Sequence, residues 1–257
     1  MNSINKTLFI PLYGKAYVSR KGLFLKDRKA EEIWDKEGFP LKGKAKSKWL
    51  AYHMGIRSAV FDRWLSEKLR SFPDSVVLHL GCGMDSRIYR VLGQYGMWYD
   101  IDFPSVIRER KRYFQETESY KMISSDIQEI DWRAYASENQ TALIVMEGVS
   151  MYLDSEALIS MISELKNNFA DCFLLMDCYT EFGAKASKYK NPINEVGVTQ
   201  VYGLDKPETI PLTLVSELDL TPVEYIDQLS GIEKVIFKKV FAGKFAKKIY
   251  RLYEYRK

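Results

Sequence analysis

The amino-acid sequence predicts an α/β fold in which a mostly parallel sheet carries helices on both of its faces. Short, largely apolar runs such as 76–80 and 141–149 alternate with segments whose apolar residues recur at helical spacing. Strands of that kind are buried on both faces, and the helices between them form the crossover connections. The last segment, 246–256, alternates apolar and basic residues instead. That alternation predicts a partly antiparallel strand at the C-terminus.

Each predicted element has a local signal. Ile56, Val60 and Trp64 recur near the 3.6-residue period and indicate a helix over 51–69. A helix over 104–114 opens on Pro104, which suits the first helical turn. Another follows the polar N-cap residue at 154 or 155 and extends to 169. The remaining predictions are strands at 76–80, 97–103, 121–125, 141–149 and 172–178, and the start of a helix at 86–92.

Three segments fall outside this alternation. Residues 1–50 are mixed in composition, and we predict an N-terminal lid or helical extension there, with the main domain over 51–257. Residues 180–215 are rich in Gly, Pro, Asn and Lys, which predicts an inserted substrate lid. Beyond it, 221–228 and 246–256 are predicted as closing strands around a helix at 231–244.

The composition restricts the possible functions. The chain has 257 residues, of which 46% are apolar and 28% charged, as in an ordinary soluble globular protein. A net charge of +4 does not point to a nucleic-acid partner. No run reaches the ~18–20 apolar residues of a membrane span, and the three cysteines and two histidines lack metal-ligand spacing. We expect a cytoplasmic protein without a metal and with neither nucleic acid nor membrane as partner.

A glycine turn follows the first predicted strand. Gly81-Cys82-Gly83 resembles the start of a dinucleotide fingerprint, but Ser86 replaces its third glycine and Asp85 stands beside that serine. A carboxylate about 4 Å from a phosphate charge costs on the order of 4 kcal/mol at an effective dielectric of 20. The turn therefore disfavours a phosphorylated cofactor, and we expect Asp85 to cap the helix that follows.

Acidic residues stand at the ends of the next three predicted strands. Asp100 and Asp102 end the second strand, Asp126 follows the third, and Glu147 ends the fourth. The carboxyl ends of parallel strands form the ligand-binding edge of a doubly wound sheet. S-adenosyl-L-methionine carries no phosphate, and it offers ribose hydroxyls and cationic centres to carboxylates. The acidic edge therefore favours adenosylmethionine as the cofactor.

Four stretches of the sequence resemble a known family. They are "HLGCGMDSRIYR", "YDIDFPSVIRERKRYF", "SSDI" and "MEGVSMYLDSEAL", and they are similar to the leucine carboxyl methyltransferase and polyketide O-methyltransferase family. The resemblance covers roughly residues 8–180 and implies a Rossmann-like class I methyltransferase sheet that binds adenosylmethionine and releases S-adenosyl-L-homocysteine. The main domain over 51–257 is then expected to be the one that binds this cofactor.

The resemblance also implies contacts for the methionine part of the cofactor. Arg57 matches the arginine that holds the methionine carboxylate, and Lys15 assists it. Gly81 and Gly83 form the turn on which the methionyl part lies. Glu147 matches the acid beside the amino-acid end of the cofactor.

Further residues are assigned to the nucleoside and the acceptor by the same resemblance. Asp102 matches the acid that binds the ribose, with Asp100 as a second candidate. Asp126 and Ile127 match the pair that borders the adenine. Tyr152 faces the methyl acceptor.

The histidines bear on the kind of acceptor. His79 lies inside the first strand and is predicted to be a core residue. His53 shares a helix face with Arg57, and two roles stay open for it: a surface or lid residue, or a catalytic base. A carboxylate is ionised at neutral pH and needs no base, but a phenol benefits from one. With so few bases, we predict O-methylation of a carboxylate or acidic hydroxyl of a small molecule, for example a polyketide-like one. The alternatives are methylation of a protein C-terminal carboxylate and a cofactor-binding regulatory protein without turnover.

Overall fold

A seven-stranded sheet forms the centre of the computed structural model, which describes residues 8–38, 41, 43–136, 139–190 and 200–257. Within these residues the strand order is β3-β2-β1-β4-β5-β7-β6, and β1 to β5 are parallel while β7 runs antiparallel to both of its neighbours. The strands are β1 Val76–Leu80, β2 Met97–Asp102, β3 Tyr120–Ser124, β4 Thr141–Met146, β5 Asp171–Tyr179, β6 Thr213–Leu218 and β7 Tyr250–Arg256. The predicted fold, with its antiparallel C-terminal strand, is confirmed.

The described helices are interleaved with these strands. They are α1 Phe9–Arg20, α2 Arg28–Glu37, α3 Lys48–Ser71, α4 Pro104–Arg110, α5 Ser155–Asn168, α6 Glu181–Lys190, α7 Val223–Ile226, α8 Gly231–Ile236 and α9 Lys244–Lys247. A π-helical segment, Phe237–Phe241, continues α8. Side-chain caps mark three of the helix starts, because Asp27, Ser47 and Asp154 each accept a hydrogen bond from a backbone N–H of the first turn.

Successive residues of the central strands enter two different cores. Val77, Leu143 and Leu175 point to the face that α3 covers, where they pack with residues such as Ile56. Their neighbours Leu78 and Ile144 belong to a second cluster, which includes the apolar stripe of α5. Because side chains alternate across a strand, both faces of the sheet are buried by helices.

Several predicted elements differ from the structure. The helix predicted at 86–92 is only the 3₁₀ turn Arg87–Tyr89, because its buried side chains are arginines in ion pairs rather than an apolar stripe. The helix predicted over 104–114 ends at Arg110. The closing strand predicted at 221–228 is wrong: that segment contains the short helix α7.

The strand that pairs with β7 lies instead at the end of the predicted insertion. Residues 180–215 include α6 and the start of β6, while residues 191–199 lie outside the described part of the chain. Leu214 and Val215 of β6 are exposed at the sheet edge. An edge strand of this kind lacks the apolar alternation by which a strand is recognised in a sequence.

The N-terminal helices are tied to the sheet by buried ion pairs. Lys15 of α1 lies 2.8 Å from Asp85, and Asp27, just before α2, lies 2.5 Å from Arg90. Ser86 also donates a hydrogen bond to Asp27. Both links run to the segment after β1 and hold the N-terminal helices against it. No described helix is long and apolar enough to cross a membrane.

Candidate functional site

A cavity of about 1080 Å³ lies at the carboxyl ends of the parallel strands, beside the point where the strand order turns from β1 to β4. Ligands of doubly wound sheets bind at this switch point. The acids that follow four successive strands all line it, namely Asp85, Asp102, Asp126 and Glu147. The cavity has room for a cofactor together with an acceptor, because pockets for drug-sized ligands measure about 300–1,000 Å³.

The turn after β1 is built so that a ligand can approach its backbone closely. Gly81 and Gly83 have φ angles of +61° and +52°, which favour glycine. A Cβ on Gly81 would lie 2.4 Å from a methyl group of Val149, so no side chain fits there. Both glycines line the cavity.

Asp102 is held at this turn by backbone groups. Its Oδ2 accepts a hydrogen bond of 2.8 Å from the Gly83 N–H, and its Oδ1 accepts one of 2.8 Å from the Phe103 N–H. Burial raises the pKa of Asp102 to about 6, although these two hydrogen bonds oppose the rise. Each carboxylate oxygen keeps further acceptor capacity, and the side chain lines the cavity.

Asp85 forms ion pairs and does not cap a helix, which corrects the prediction. Its negative charge is also not the reason why the turn disfavours a phosphate. Asp85 is buried among Lys15, Arg87 and Arg90, at 2.8, 3.4 and 2.9 Å. Burial alone would raise its pKa, but these three cations hold it well below the usual range. Its charge is therefore compensated. The phosphate is disfavoured instead because Asp102 occupies the Gly83 N–H, a backbone donor of the kind that phosphate-binding turns offer.

Arg57 and Glu147 form the centre of a buried ionic cluster at the end of β4. The Nε of Arg57 donates to Glu147 over 3.0 Å, and its Nη1 lies 3.0 Å from the Tyr250 hydroxyl and 3.2 Å from Asp177. Arg87 pairs with the other oxygen of Glu147. Burial alone would raise the pKa of Glu147, but Arg57 and Arg87 lower it to about 2.

Lys15 reaches the cavity from α1, beside the same cluster. Its ammonium pairs with Asp85, so both predicted cations for the methionine carboxylate, Lys15 and Arg57, already have carboxylate partners. Gly148, with a φ of +72°, leaves the space beside the Arg57 guanidinium open, since a Cβ there would approach Nη2 to 3.4 Å.

Asp100 is not placed to touch a ligand, which corrects the prediction that it is a second ribose acid. Its side chain is fully buried and does not line the cavity. Its oxygens accept hydrogen bonds from Trp98 Nε1 at 2.9 Å and Tyr120 at 2.6 Å, and it pairs with Arg110. Asp100 stabilises the interior beneath the glycine turn.

His79 belongs to that interior, as predicted. Its Nδ1 lies 2.9 Å from Asp100 and its Nε2 lies 3.2 Å from Arg87. Burial lowers the pKa of His79, and a neutral ring that donates from Nδ1 to Asp100 and accepts from Arg87 at Nε2 satisfies both contacts.

The residues predicted to border the adenine follow β3 and form another part of the cavity wall. Asp126 and Ile127 both line the cavity, and Ile127 is buried. Asp126 Oδ1 accepts a hydrogen bond of 3.0 Å from the Gln128 N–H. The structure therefore offers an apolar surface and a polar group side by side.

Aromatic side chains form another part of the lining, which we call the aromatic end. It consists of Trp49, His53, Tyr152, Tyr179, Phe241 and Tyr250. The Tyr250 ring contacts the rings of Tyr179 and His53, with centroids 5.0 and 6.1 Å apart, and Trp49 stacks on Phe241 at 5.6 Å. This arrangement offers a large apolar surface to an organic ligand.

The two predicted catalytic residues both lie in the aromatic end. Burial and then the charge of Arg57 lower the pKa of His53 to about 4, so its ring is neutral near pH 7. Partial burial and the neighbouring Tyr179 phenol raise the pKa of Tyr152. Tyr152 is thus a hydrogen-bond donor, and His53 is a weak base.

Two residues of the buried ionic cluster were not predicted from the sequence. Asp177, within β5, accepts hydrogen bonds from the Gly148 N–H at 2.7 Å and from Tyr250 at 2.7 Å. It thereby joins the last strand to the ionic cluster of Arg57. Its signal was an acid inside the otherwise apolar run "CFLLMDC", because a buried acid needs partners. Tyr250 gave no such signal, since tyrosine is common in strands.

The chain is similar to known proteins in sequence and in fold. The chain is 27% identical over 212 residues to TcmP, a tetracenomycin polyketide synthesis O-methyltransferase of Streptomyces glaucescens, over 82% of this chain and 78% of that protein. It is 29% identical over 127 residues to dpfgK, an S-adenosyl-L-methionine-dependent methyltransferase of Gibberella zeae, over 46% and 43% of the two chains.

Two solved structures have a similar fold. A DUF574 family protein from Streptomyces avermitilis gives a TM-score of 0.58 at 10% identity, covering 95% of this chain and 96% of that one. The magnesium protoporphyrin IX methyltransferase ChlM from Synechocystis, with bound SAH, gives a TM-score of 0.50 at 13% identity. The match covers 95% of this chain and 97% of that one.

The sheet order, with β1 to β5 parallel and β7 antiparallel, is the Rossmann-like fold of the class I methyltransferases. A sequence model of leucine carboxyl methyltransferases matches residues 4–166. The chain belongs to this family and is a methyltransferase that depends on adenosylmethionine. The residues present fit that cofactor, because Gly81 and Gly83 line the cavity without side chains and Asp102 lines it with a carboxylate whose oxygens can each accept a further hydrogen bond.

Proposed function

We propose that the protein methylates an oxygen, on a carboxylate or an acidic hydroxyl, of a small apolar molecule held in the aromatic end. The observation that carries this proposal is the contrast within the cavity. Its aromatic end offers a large apolar surface and a phenol donor, while the pKa of His53 is lowered to about 4. A base that weak does little for an acceptor that must first lose a proton, whereas an acceptor that is already ionised needs none.

The chain's own residues bind and align the two reactants. Asp102 accepts from the ribose hydroxyls, Asp126 and Ile127 border the adenine, and the Gly81–Gly83 turn receives the methionyl part. The cluster of Lys15, Arg57 and Glu147 surrounds the amino-acid end, with the cations toward a carboxylate and Glu147 toward an ammonium. Bound adenosylmethionine supplies a methyl group activated by its sulfonium.

Tyr152 orients the acceptor. A phenol is protonated at neutral pH, and burial raises the pKa of Tyr152 further, so its hydroxyl donates a hydrogen bond to an acceptor oxygen. The aromatic rings exclude water and hold the acceptor against the cofactor. Alignment of this kind lowers a barrier by about 7–11 kcal/mol in the best cases.

A protein carboxylate is the second candidate acceptor, because the family model that matches this chain describes leucine carboxyl methyltransferases. The two candidates separate in one assay. Cell extract is incubated with the protein and methyl-labelled adenosylmethionine, and is then divided into small-molecule and protein fractions. We expect label in the small-molecule fraction; label confined to protein would favour the alternative, and binding without turnover would indicate a regulatory protein.

A further inference from the structure

One segment beside the cavity carries a net charge of +5. Residues 231–248 contain six lysines and one acid, which leaves 32 basic and 33 acidic residues in the rest of the chain. The segment consists of α8, the π-helical turns Phe237–Phe241 and α9. We call it the lysine segment. Its exposed lysines are Lys238, Lys239, Lys244, Lys247 and Lys248.

Aliphatic side chains are exposed among these lysines. Ile232 is 74% exposed, Val235 50% and Val240 53%. The inner side of the same helix is anchored, because Phe237 is fully buried and its ring packs against Phe241 at 5.6 Å. The outer side therefore presents both positive charge and apolar groups to the solvent.

We propose that the lysine segment docks on the surface of an anionic lipid bilayer. Helices of this mixed character lie in the interface of a bilayer, with aliphatic groups between the acyl chains and basic groups at the phosphates. Each lysine near such a surface strengthens binding about fivefold. The composition favours lipid over a protein partner, since protein interfaces are enriched in arginine and aromatics and depleted of lysine, and this segment contains no arginine.

The docked segment also forms part of the cavity wall. Val240, Phe241 and Lys247 line the cavity, so the bilayer would lie next to the aromatic end. An apolar acceptor dissolved in the membrane could enter there without crossing water. The sequence contains no run long enough to span a membrane and led us to expect no membrane partner; the proposal differs from that expectation in adding contact with a membrane surface.

Co-sedimentation with vesicles tests the proposal. The full chain, without cofactor or acceptor, is mixed with vesicles of phosphatidylcholine alone or with added phosphatidylserine. We expect binding to the anionic vesicles that weakens as salt is raised. The double variant Lys238→Gln/Lys239→Gln should bind about twentyfold more weakly. Because neither methyl transfer nor ligand binding is measured, this result does not depend on the proposed function.

Two further variants make the test specific. Arg108→Gln/Lys166→Gln removes the same charge from α4 and α5, and should bind as tightly as the unmodified chain. Ile232→Ser/Val235→Ser keeps every lysine and should weaken binding several-fold, with the fold of each variant checked by circular dichroism. Absence of vesicle binding, an equal loss in the control, or no effect of the aliphatic pair would each overturn the proposal. So would lysine-dependent binding to an acidic carrier protein or an oligonucleotide in place of vesicles.

Discussion

At the scale of single residues, the acids of the ligand edge differ in what balances their charge. Asp85 and Glu147 contact arginine or lysine side chains, and the cations bring the pKa of Glu147 down to about 2. Asp102 contacts two backbone N–H groups instead, and burial brings its pKa up to about 6. Because no cation pairs with Asp102, its negative charge is only partly balanced, and it is stabilised most by additional hydrogen-bond donors. Asp102 is therefore the acid best placed to bind ribose hydroxyls.

The substitution Asp102→Asn tests this role. An amide is uncharged and has one acceptor oxygen, so its NH₂ would face the Gly83 N–H or the Phe103 N–H, or would leave a ribose hydroxyl without its carboxylate acceptor. Hydrogen bonds to charged groups contribute about 1.5–3 kcal/mol, which predicts a Kd for adenosylmethionine about ten- to a hundredfold higher by titration calorimetry. Asp131→Asn, at an exposed position, is the matched control and should leave the Kd unchanged.

The pH dependence of binding gives a second readout of the same residue. Protonation below pH about 6 removes the carboxylate that the hydroxyls need, so affinity should fall as the pH drops through that value. The contribution of Asp102 to folding stability changes with pH in the opposite direction. Because its pKa is raised in the folded state, protonated Asp102 favours folding, and this stabilisation is lost as the pH rises through about 6. Asp102→Asn should bind with a flat pH profile. A profile that still fell near pH 6 in this variant would assign the titration to another group.

At the scale of elements, the turn after β1 depends on glycine for two separable reasons. Gly81 combines a left-handed backbone with a Cβ position only 2.4 Å from Val149, whereas Gly22, with a φ of +66°, has no atom within 4 Å of its Cβ position. A left-handed residue costs about 1–2 kcal/mol in either place. The steric overlap at Gly81 adds a further cost that Gly22 lacks.

Gly81→Ala is therefore expected to lower the free energy of unfolding by about 1–3 kcal/mol more than Gly22→Ala, the cost of overpacking. Urea denaturation of both variants measures the difference. Gly81→Ala/Val149→Ala removes the overlapping methyl groups and should recover most of it. Equal destabilisation by the two single substitutions would show that Val149 moves aside at little cost.

Elements also differ in how far the sequence could predict them. Buried strands such as β1 and β4 were recognised, because continuous apolar runs have few other uses in a soluble chain. The edge strand β6 was missed, since exposed Leu214 and Val215 follow no burial pattern. The segment after β1 was predicted as helix because Arg87 and Arg90 gave no sign that their guanidinium groups would be buried in ion pairs.

At the scale of the whole molecule, buried ion pairs join parts that are distant in the sequence. Lys15 and Asp27 bind the N-terminal helices to the segment after β1, and Asp177 binds the last strand to Arg57 through Tyr250. The acids at the strand ends were predictable from topology alone, since parallel strands share one ligand edge. Their partners were not, because ion pairs across the fold leave no periodic signal. The burial of Asp100 was hidden for the same reason.

The central claim is that this chain transfers the methyl group of adenosylmethionine to an oxygen of a small apolar acid. The most direct measurement supplies adenosylmethionine labelled with carbon-13 in the methyl group to an extract with the protein, and records the carbon-13 spectrum of the small-molecule fraction. We predict a new O-methyl resonance that is absent without the protein and strongly reduced with Asp102→Asn. A new resonance in the N-methyl or C-methyl region, or none in this fraction, would contradict the account.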